Sequence, residues 1–441
     1  MARLMRVLCF AAVIGPAASV GNVYAFHIVL VAALCSVAPV ELFAARRSVR
    51  PLPSRYHHLF PFMIAWFALG LIWSWDRHYT LLYLVYLFVG SALSMLVVVY
   101  VKTDLRKFEL LLRATGVALL ADIAIGLLET FTSMRLPISP YSASNAAYTL
   151  DSLSLDAMER LSSYPTGFQW NPNHYAVGVS LVVPFALLHR NIWLRIGGLL
   201  VLSLLIVSSG SRACMIALVF AFVAVPLFRH SRSGRFVLPV ACIGGICFLL
   251  IGVGGYSIDP NGRFSEALGT VEAAKRLYSG EGTGDSVDIR RNLVLNGLTA
   301  LKQTYGLGVG GGADAYVHQR FGGVRDILST HNIWVELLVN GGVILFVPFA
   351  LWYWNLIREL RRWHLRARLN RKLAYYCSAL SLGMITFVLS AISASTVIYF
   401  LPMYLMFGLA IALVNICRHA ALCAQRARQE ARRRQPVLHA A

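Results

Sequence analysis

Long apolar runs separated by short polar stretches fill the chain, and this alternation predicts about twelve membrane-spanning helices. Read off the runs, the spans are Met5–Val20, Val23–Ala44, Leu59–Trp75, Thr80–Val101, Glu109–Phe131, Asn173–Leu188, Ile196–Ser208, Ala213–Phe228, Phe236–Val253, His331–Trp354, Leu373–Ala391 and Val397–Cys417. Most connections between them are short hairpins, which predicts a compact bundle. Two are long: 132–172, rich in Ser, Tyr and Pro, and 254–330, the one sizeable hydrophilic insertion. The expected architecture is a single polytopic all-α membrane domain over 1–441, with one elaborated face and a basic tail at 418–441. The first run follows Arg3 and Arg6 and has Ala-rich positions near Ala25, so it also has the form of a signal peptide. A second span follows at once, and an even number of spans leaves both ends on one side.

Composition agrees with this reading. The 441 residues are 58% hydrophobic and 14% charged, with a mean hydropathy of +0.64, too little polar surface for a soluble domain. A net charge of +20 raises the question of nucleic acid. Assigning connections to alternate sides answers it: roughly 28 of the 40 Lys and Arg residues fall on one side, against roughly five of the 20 acids. That asymmetry predicts that both termini and the basic loops are cytoplasmic and that 132–172 and 254–330 are external. The basic excess then reports topology and attraction to anionic membrane lipid, and nucleic-acid binding is not needed to explain it. The eight cysteines lie in spans or the tail, so no disulfide framework and no metal site is expected.

The polar residues that remain gather on the predicted external face. Within the long insertion, Arg263–Leu277 is a weaker helix candidate and Asp288–Thr304 a better one, because Ile289, Leu293, Val294, Ala300 and Leu301 form one apolar arc. Arg290 falls inside that arc and Arg291 beyond its edge, so Arg290 is aimed at protein and Arg291 at solvent. Gly306-Leu-Gly-Val-Gly-Gly-Gly312 ends this helix. It lacks the Lys-Ser/Thr pair of a nucleoside-triphosphate loop, and reads as a turn allowing close backbone approach to the membrane face, with phosphate contact as the lesser option.

Four side-chain groups carry candidate chemistry. Arg212 lies in Ser208-Ser-Gly-Ser-Arg-Ala213 between two spans, either snorkelling to headgroups or aimed inward as a fork for phosphate oxygens. His331 opens His-Asn-Ile-Trp-Val-Glu-Leu-Leu-Val-Asn-Gly-Gly342, an imidazole suited to proton transfer at a membrane boundary, with Asn332 and Glu336 as groups that cap or orient it. Asn171-Pro-Asn-His-Tyr175 starts a span. Pro172 suits a helix start, and Asn173 and His174 are either helix-entry chemistry or bonds to a sugar. Asp122 and Glu129, in an apolar span, require partners, and a site arginine is one option.

In this order, Pro165-Thr-Gly-Phe-Gln-Trp-Asn-Pro-Asn-His-Tyr-Ala176, Ser209-Gly-Ser-Arg-Ala213, Arg290 with Gly306-Leu-Gly-Val-Gly310, and His331-Asn332 with Gly342 resemble the O-antigen ligase/polymerase superfamily of bacterial inner-membrane glycosyltransferases. Where relatives often carry Pro before the Gly-Val-Gly turn, this chain has Tyr305 or Gly306. The resemblance implies a GT-C-like fold and metal-independent, cofactor-free glycosyl transfer at the periplasmic face. The implied donor is a glycan on undecaprenyl pyrophosphate. The implied acceptor is a lipid A–core hydroxyl for a ligase, or the growing lipid-linked glycan for an O-antigen or exopolysaccharide polymerase. It also implies that Arg212 and Arg290 bind the pyrophosphate and that His331 is the base or positions the acceptor, with Asn332, Asn173 and His174 as further substrate-binding candidates. A flippase of lipid-linked oligosaccharide is the reading from another class. It predicts internal repeats and a charged path through both leaflets, and the chain has neither pattern.

Overall fold

The computed structural model describes residues 1–20, 23–47, 52–132, 134–137, 164–228, 286–321, 330, 332–366, 370–392, 394 and 397–434. The expected span Phe236–Val253, the helix candidate Arg263–Leu277, His331 and most of the two long connections lie outside these residues.

The described residues form an all-α membrane protein. Its helices are α1 (Ala2–Ile14), α2 (Ala25–Arg47), α3 (Leu59–Gly70), α4 (Arg77–Val101), α5 (Leu105–Phe131), α6 (Pro172–Leu187), α7 (Ile192–Ser208), α8 (Arg212–Ala224), α9 (Ser286–Gln303), α10 (Asp314–Phe321), α11 (Ile333–Arg366), α12 (Arg371–Ser390) and α13 (Leu401–Arg434). A two-residue antiparallel pair, Ser19–Val20 with Val23–Tyr24, links α1 to α2. Five helices, α4, α5, α11, α12 and α13, are long and apolar enough to cross a membrane, while α7 and α8 are apolar but shorter.

Short polar residues set the helix starts. Asp76, Asp104, Asn171, Asn191 and Asn370 are N-caps whose side-chain oxygens accept from the first-turn amides of α4, α5, α6, α7 and α12. Pro172 follows its cap at the first helical position, where a missing N–H costs nothing.

The core centres on α13, which packs against α4, α11 and α12. Its residues 401–417 are buried without interruption, and exposure begins at Arg418. The burial boundary thus coincides with the end expected for the last span, because an all-round apolar helix is an interior helix. Outer helices turn apolar side chains outward, such as Leu120, Leu200 and Val219, as lipid contact requires. At the basic end, Glu359 of α11 accepts two hydrogen bonds from the Arg418 guanidinium, 2.5 and 2.6 Å, and one from the Tyr56 hydroxyl, 2.7 Å. This clamps α11, α13 and the segment before α3, and burial, together with the Glu359 carboxylate beside it, holds the Tyr56 phenol well above its usual range.

At the opposite end α11 is broken. Gly342 has φ 69° and ψ −178°, so the helix is two helical pieces meeting at that residue. A break inside an apolar helix frees backbone groups that must find partners. They find them in the glycine-rich turn after α9: Val309 and Gly310 amides donate to the Val339 and Asn340 carbonyls at 2.9 and 3.1 Å, and the Val343 amide donates to the Gly306 carbonyl at 2.9 Å. The Trp66 indole donates to the Gly341 carbonyl at 2.7 Å.

Candidate functional site

The glycine-rich turn is a wedge. One side is bonded to the α11 break; on the other, the Val309 carbonyl accepts from the Trp75 amide at 2.9 Å, tying it to the turn between α3 and α4. A Cβ on Gly342 would lie 2.3 Å from the Leu307 carbonyl oxygen and 2.4 Å from that of Gly306. Only glycine permits that backbone approach and the positive φ together. The turn is present, but its backbone approaches Gly342 of the His-Asn-x9-Gly string and not the membrane face expected of it.

The helix expected at Asp288–Thr304 is α9, and its faces are as the arc requires. Leu293, Gly297 and Ala300 are buried, whereas Arg291 and Asn292 are exposed. Gly297 sits against α11, where a Cβ would be 2.7 Å from Val339 Cγ2 and 3.8 Å from Val335 Cγ1. With its C-terminal end at the break, α9 thus runs beside the first piece of α11, toward that helix's start. Position 290 continues the Gly297 face two turns further in that direction.

A buried polar latch holds the chain immediately before His331. Asp314, at the start of α10, is 2% exposed, and its carboxylate accepts from both the amide and the hydroxyl of Thr330, itself 1% exposed. Asn340 completes the latch in both directions: its amide group donates to Asp314 Oδ1 at 3.1 Å, and its Oδ1 accepts from the Asp314 amide at 3.1 Å. On the other side of His331, Asn332 Oδ1 accepts from the Trp334 amide at 3.0 Å and caps the first turn of α11. Both neighbours of position 331 are therefore fixed. Asp314, Thr330 and Asn340 escaped the sequence reading, although an asparagine inside an apolar span, costly unless bonded, was a legible signal. Glu336 is buried near Tyr83 and Tyr404, away from solvent.

Asp122 and Glu129 of α5 serve the loop before α6. Glu129 Oε2 accepts from the Thr166 and Gly167 amides at 2.7 and 2.8 Å, and Asp122 Oδ1 accepts from the Phe168 amide at 2.7 Å. The partners of these carboxylates are thus backbone amides, where a site arginine was one option. Arg135 donates to the Glu129 main-chain carbonyl at 2.6 Å. The loop continues into Asn171, whose side chain accepts from the Asn173 amide. His174 is buried in the first turn of α6, with its ring 5.6 Å from Tyr399 and 5.7 Å from Phe400, in the segment before α13.

Arg212 occupies the first turn of α8, behind the N-cap Ser211, and is half-buried. Two residues earlier, Gly210 packs under the Tyr164 ring, which a Cβ would meet at 3.2 Å. Two residues after Arg212, Cys214 Sγ lies 4.0 Å from the Ser390 carbonyl oxygen near the end of α12, and the next carbonyl, that of Ala391, accepts from the Ile333 amide at 3.4 Å. Through these contacts the Pro165–Trp170 loop, the start of α8 with Arg212, and the start of α11 with Asn332 meet at one end of the bundle. A further cation stands there: Arg320 of α10 lies over the Trp75 ring at 4.7 Å. Among the described residues, no group of three or more His, Cys, Asp or Glu is arranged to hold a metal ion.

Comparison with known proteins gives this end of the molecule its class. Residues 197–350, which run from α7 through the α11 break, match the O-antigen ligase family model. The chain is also similar to the teichuronic acid biosynthesis protein TuaE of Bacillus subtilis, at 26% identity over 419 residues that cover 90% of this chain and 80% of that protein. Together these support the O-antigen ligase/polymerase superfamily, the one the motifs resemble, and indicate a glycosyltransferase-like biosynthetic enzyme.

Proposed function

We propose that the protein transfers a glycan from undecaprenyl pyrophosphate to an acceptor hydroxyl at the periplasmic face of the bacterial inner membrane, without a metal, and that the acceptor is lipid A–core. The observation that carries this reading is the convergence of the Arg212 turn, the α9 face bearing position 290 and the latched start of α11 at the end of the bundle opposite its basic residues. Arg212 and Arg290 bind the two phosphates and neutralise the charge that grows on the leaving group. His331 takes the proton of the acceptor hydroxyl as its oxygen bonds to the anomeric carbon and the bond from that carbon to the pyrophosphate breaks. Undecaprenyl pyrophosphate leaves as the second product. Asn332, with its Oδ1 engaged at the cap, has its amide group to offer a sugar, and Asn173 approaches from the start of α6.

A second reading is a polymerase that extends the lipid-linked glycan, favoured by the relative from Bacillus subtilis, which is named for teichuronic acid biosynthesis and not for O-antigen ligation. One assay separates them: purified protein, undecaprenyl-pyrophosphate glycan, and either lipid A–core or a second copy of the donor. Product on lipid A–core alone supports the ligase, and growth of the donor supports the polymerase. No transfer by folded protein refutes both. Arg212→Ala, Arg290→Ala and His331→Ala should each lower turnover by about a thousandfold or more, while Arg291→Ala stays within about threefold. Inhibition by EDTA would refute the metal-free step.

A further inference from the structure

An apolar cavity lies away from this site. It is a groove of about 640 Å³ between α5, α6, α7, α12 and α13, walled almost wholly by apolar side chains. It begins at the basic end, where His189, Trp193 and Tyr375 stand at its mouth, and runs inward to Ile123 and Pro402. Along α5 its lining extends from Leu112 to Ile123, eleven residues and so about 16 Å. That is about half the ~30 Å hydrocarbon thickness of a bilayer, the depth of one leaflet.

Glycines make the groove. A Cβ added at Gly116 or at Gly197 would meet nothing within 4 Å, so both positions border open space. The first half of α7 stands off from the bundle, with Trp193 78% and Leu194 61% exposed. Cations surround the mouth: Arg190 is exposed beside His189, and Arg195 follows on the first turns of α7. The His189 ring is fixed there, accepting from the Asn191 amide at 3.1 Å and standing edge-on to Tyr375.

We propose that this groove binds one anionic phospholipid from the leaflet at the basic end, with an acyl chain along the glycine-lined slot and the phosphate against Arg190 and Arg195. The one-leaflet length selects an acyl chain over a long polyprenyl tail, and the basic mouth selects an acidic headgroup. The site is independent of the transfer chemistry proposed above.

Native mass spectrometry of the full chain in detergent, supplemented with phosphatidylglycerol or with phosphatidylcholine of the same acyl chains, tests it. The expected result is one retained phosphatidylglycerol per chain, at least fivefold favoured over phosphatidylcholine. Gly116→Leu and Gly197→Leu fill the slot with better helix formers and should lower retention at least fivefold at an unchanged melting temperature. Arg190→Ala, on an exposed side chain, should cut the preference for phosphatidylglycerol to within twofold and leave folding intact. Undiminished retention by folded Gly→Leu variants, equal retention of both lipids, or a polyprenyl lipid as the retained species would each overturn the proposal.

Discussion

Two loops at the same end of the bundle are held by opposite means. The Pro165–Trp170 loop is held by side chains: two carboxylates of α5 reach out and accept three of its amides. The Gly306–Gly312 turn is held to α11 by main chain alone, bonded to the backbone at the break in that helix. The first arrangement tolerates change in the loop's side chains but depends on its acceptors. The second has no side chain to lose, yet cannot admit a single Cβ at the contact. On the proposed reaction, a rigid backbone weld suits the element that carries α9 and the start of α11, since a displacement of about 1 Å at reacting groups costs catalysis severely.

The weld should be the more fragile under substitution. Gly342→Ala places a methyl against two carbonyl oxygens and forces alanine to a positive φ, a combined cost of about 3–5 kcal/mol. Thermal unfolding in detergent should show loss of the cooperative transition or a large fall in Tm. A wild-type Tm would mean that the break relaxes freely. Glu129→Ala leaves two buried amides without their acceptor, at about 2–4 kcal/mol, and Asp122→Ala leaves one, at about half that. Equal effects of the two substitutions would break the assignment of one carboxylate to two amides and the other to one.

Asp314→Asn tests the latch between the two regions. The carboxylate accepts from three donors, and an amide turns one acceptor into a fourth donor, facing either Thr330 or Asn340. On the proposed reaction kcat should fall about tenfold with KM within about twofold, since the change displaces the start of α11 and not the donor's phosphates. A rise in KM alone would assign Asp314 to binding. The smallest effect is at Tyr305, which ends α9 at φ 50° with its side chain 95% exposed. Tyr305→Gly should raise stability by about 1 kcal/mol, measured in the same unfolding assay, because glycine enters this region without strain. A proline, as relatives often carry nearby, cannot take that φ.

Much of the framework was legible in the pattern of residues. Asx caps, the end of burial at Cys417 and the faces of α9 all follow from local chemistry, which acts over a few residues and leaves its mark there. The arc that put Arg290 inward and Arg291 outward is borne out at Arg291, where the side chain is exposed. The partners of Asp122 and Glu129 were not legible, because each lies dozens of residues away across the bundle and nothing local distinguishes an amide acceptor from an ion-pair acid. The Asp314–Asn340 pair was missed for the same reason.

By itself the sequence determined that this is a helical membrane protein, which end is basic, and which short strings carry the family resemblance. Hydropathy, charge asymmetry and motif order are properties of composition along one dimension. Tertiary structure alone decided that Gly342 breaks a helix to receive the glycine-rich turn, that buried carboxylates hold a loop by its amides, and that glycines of α5 and α7 open a slot in the apolar wall. Each depends on two backbones meeting at a distance set by packing, and no local pattern encodes which segments will meet.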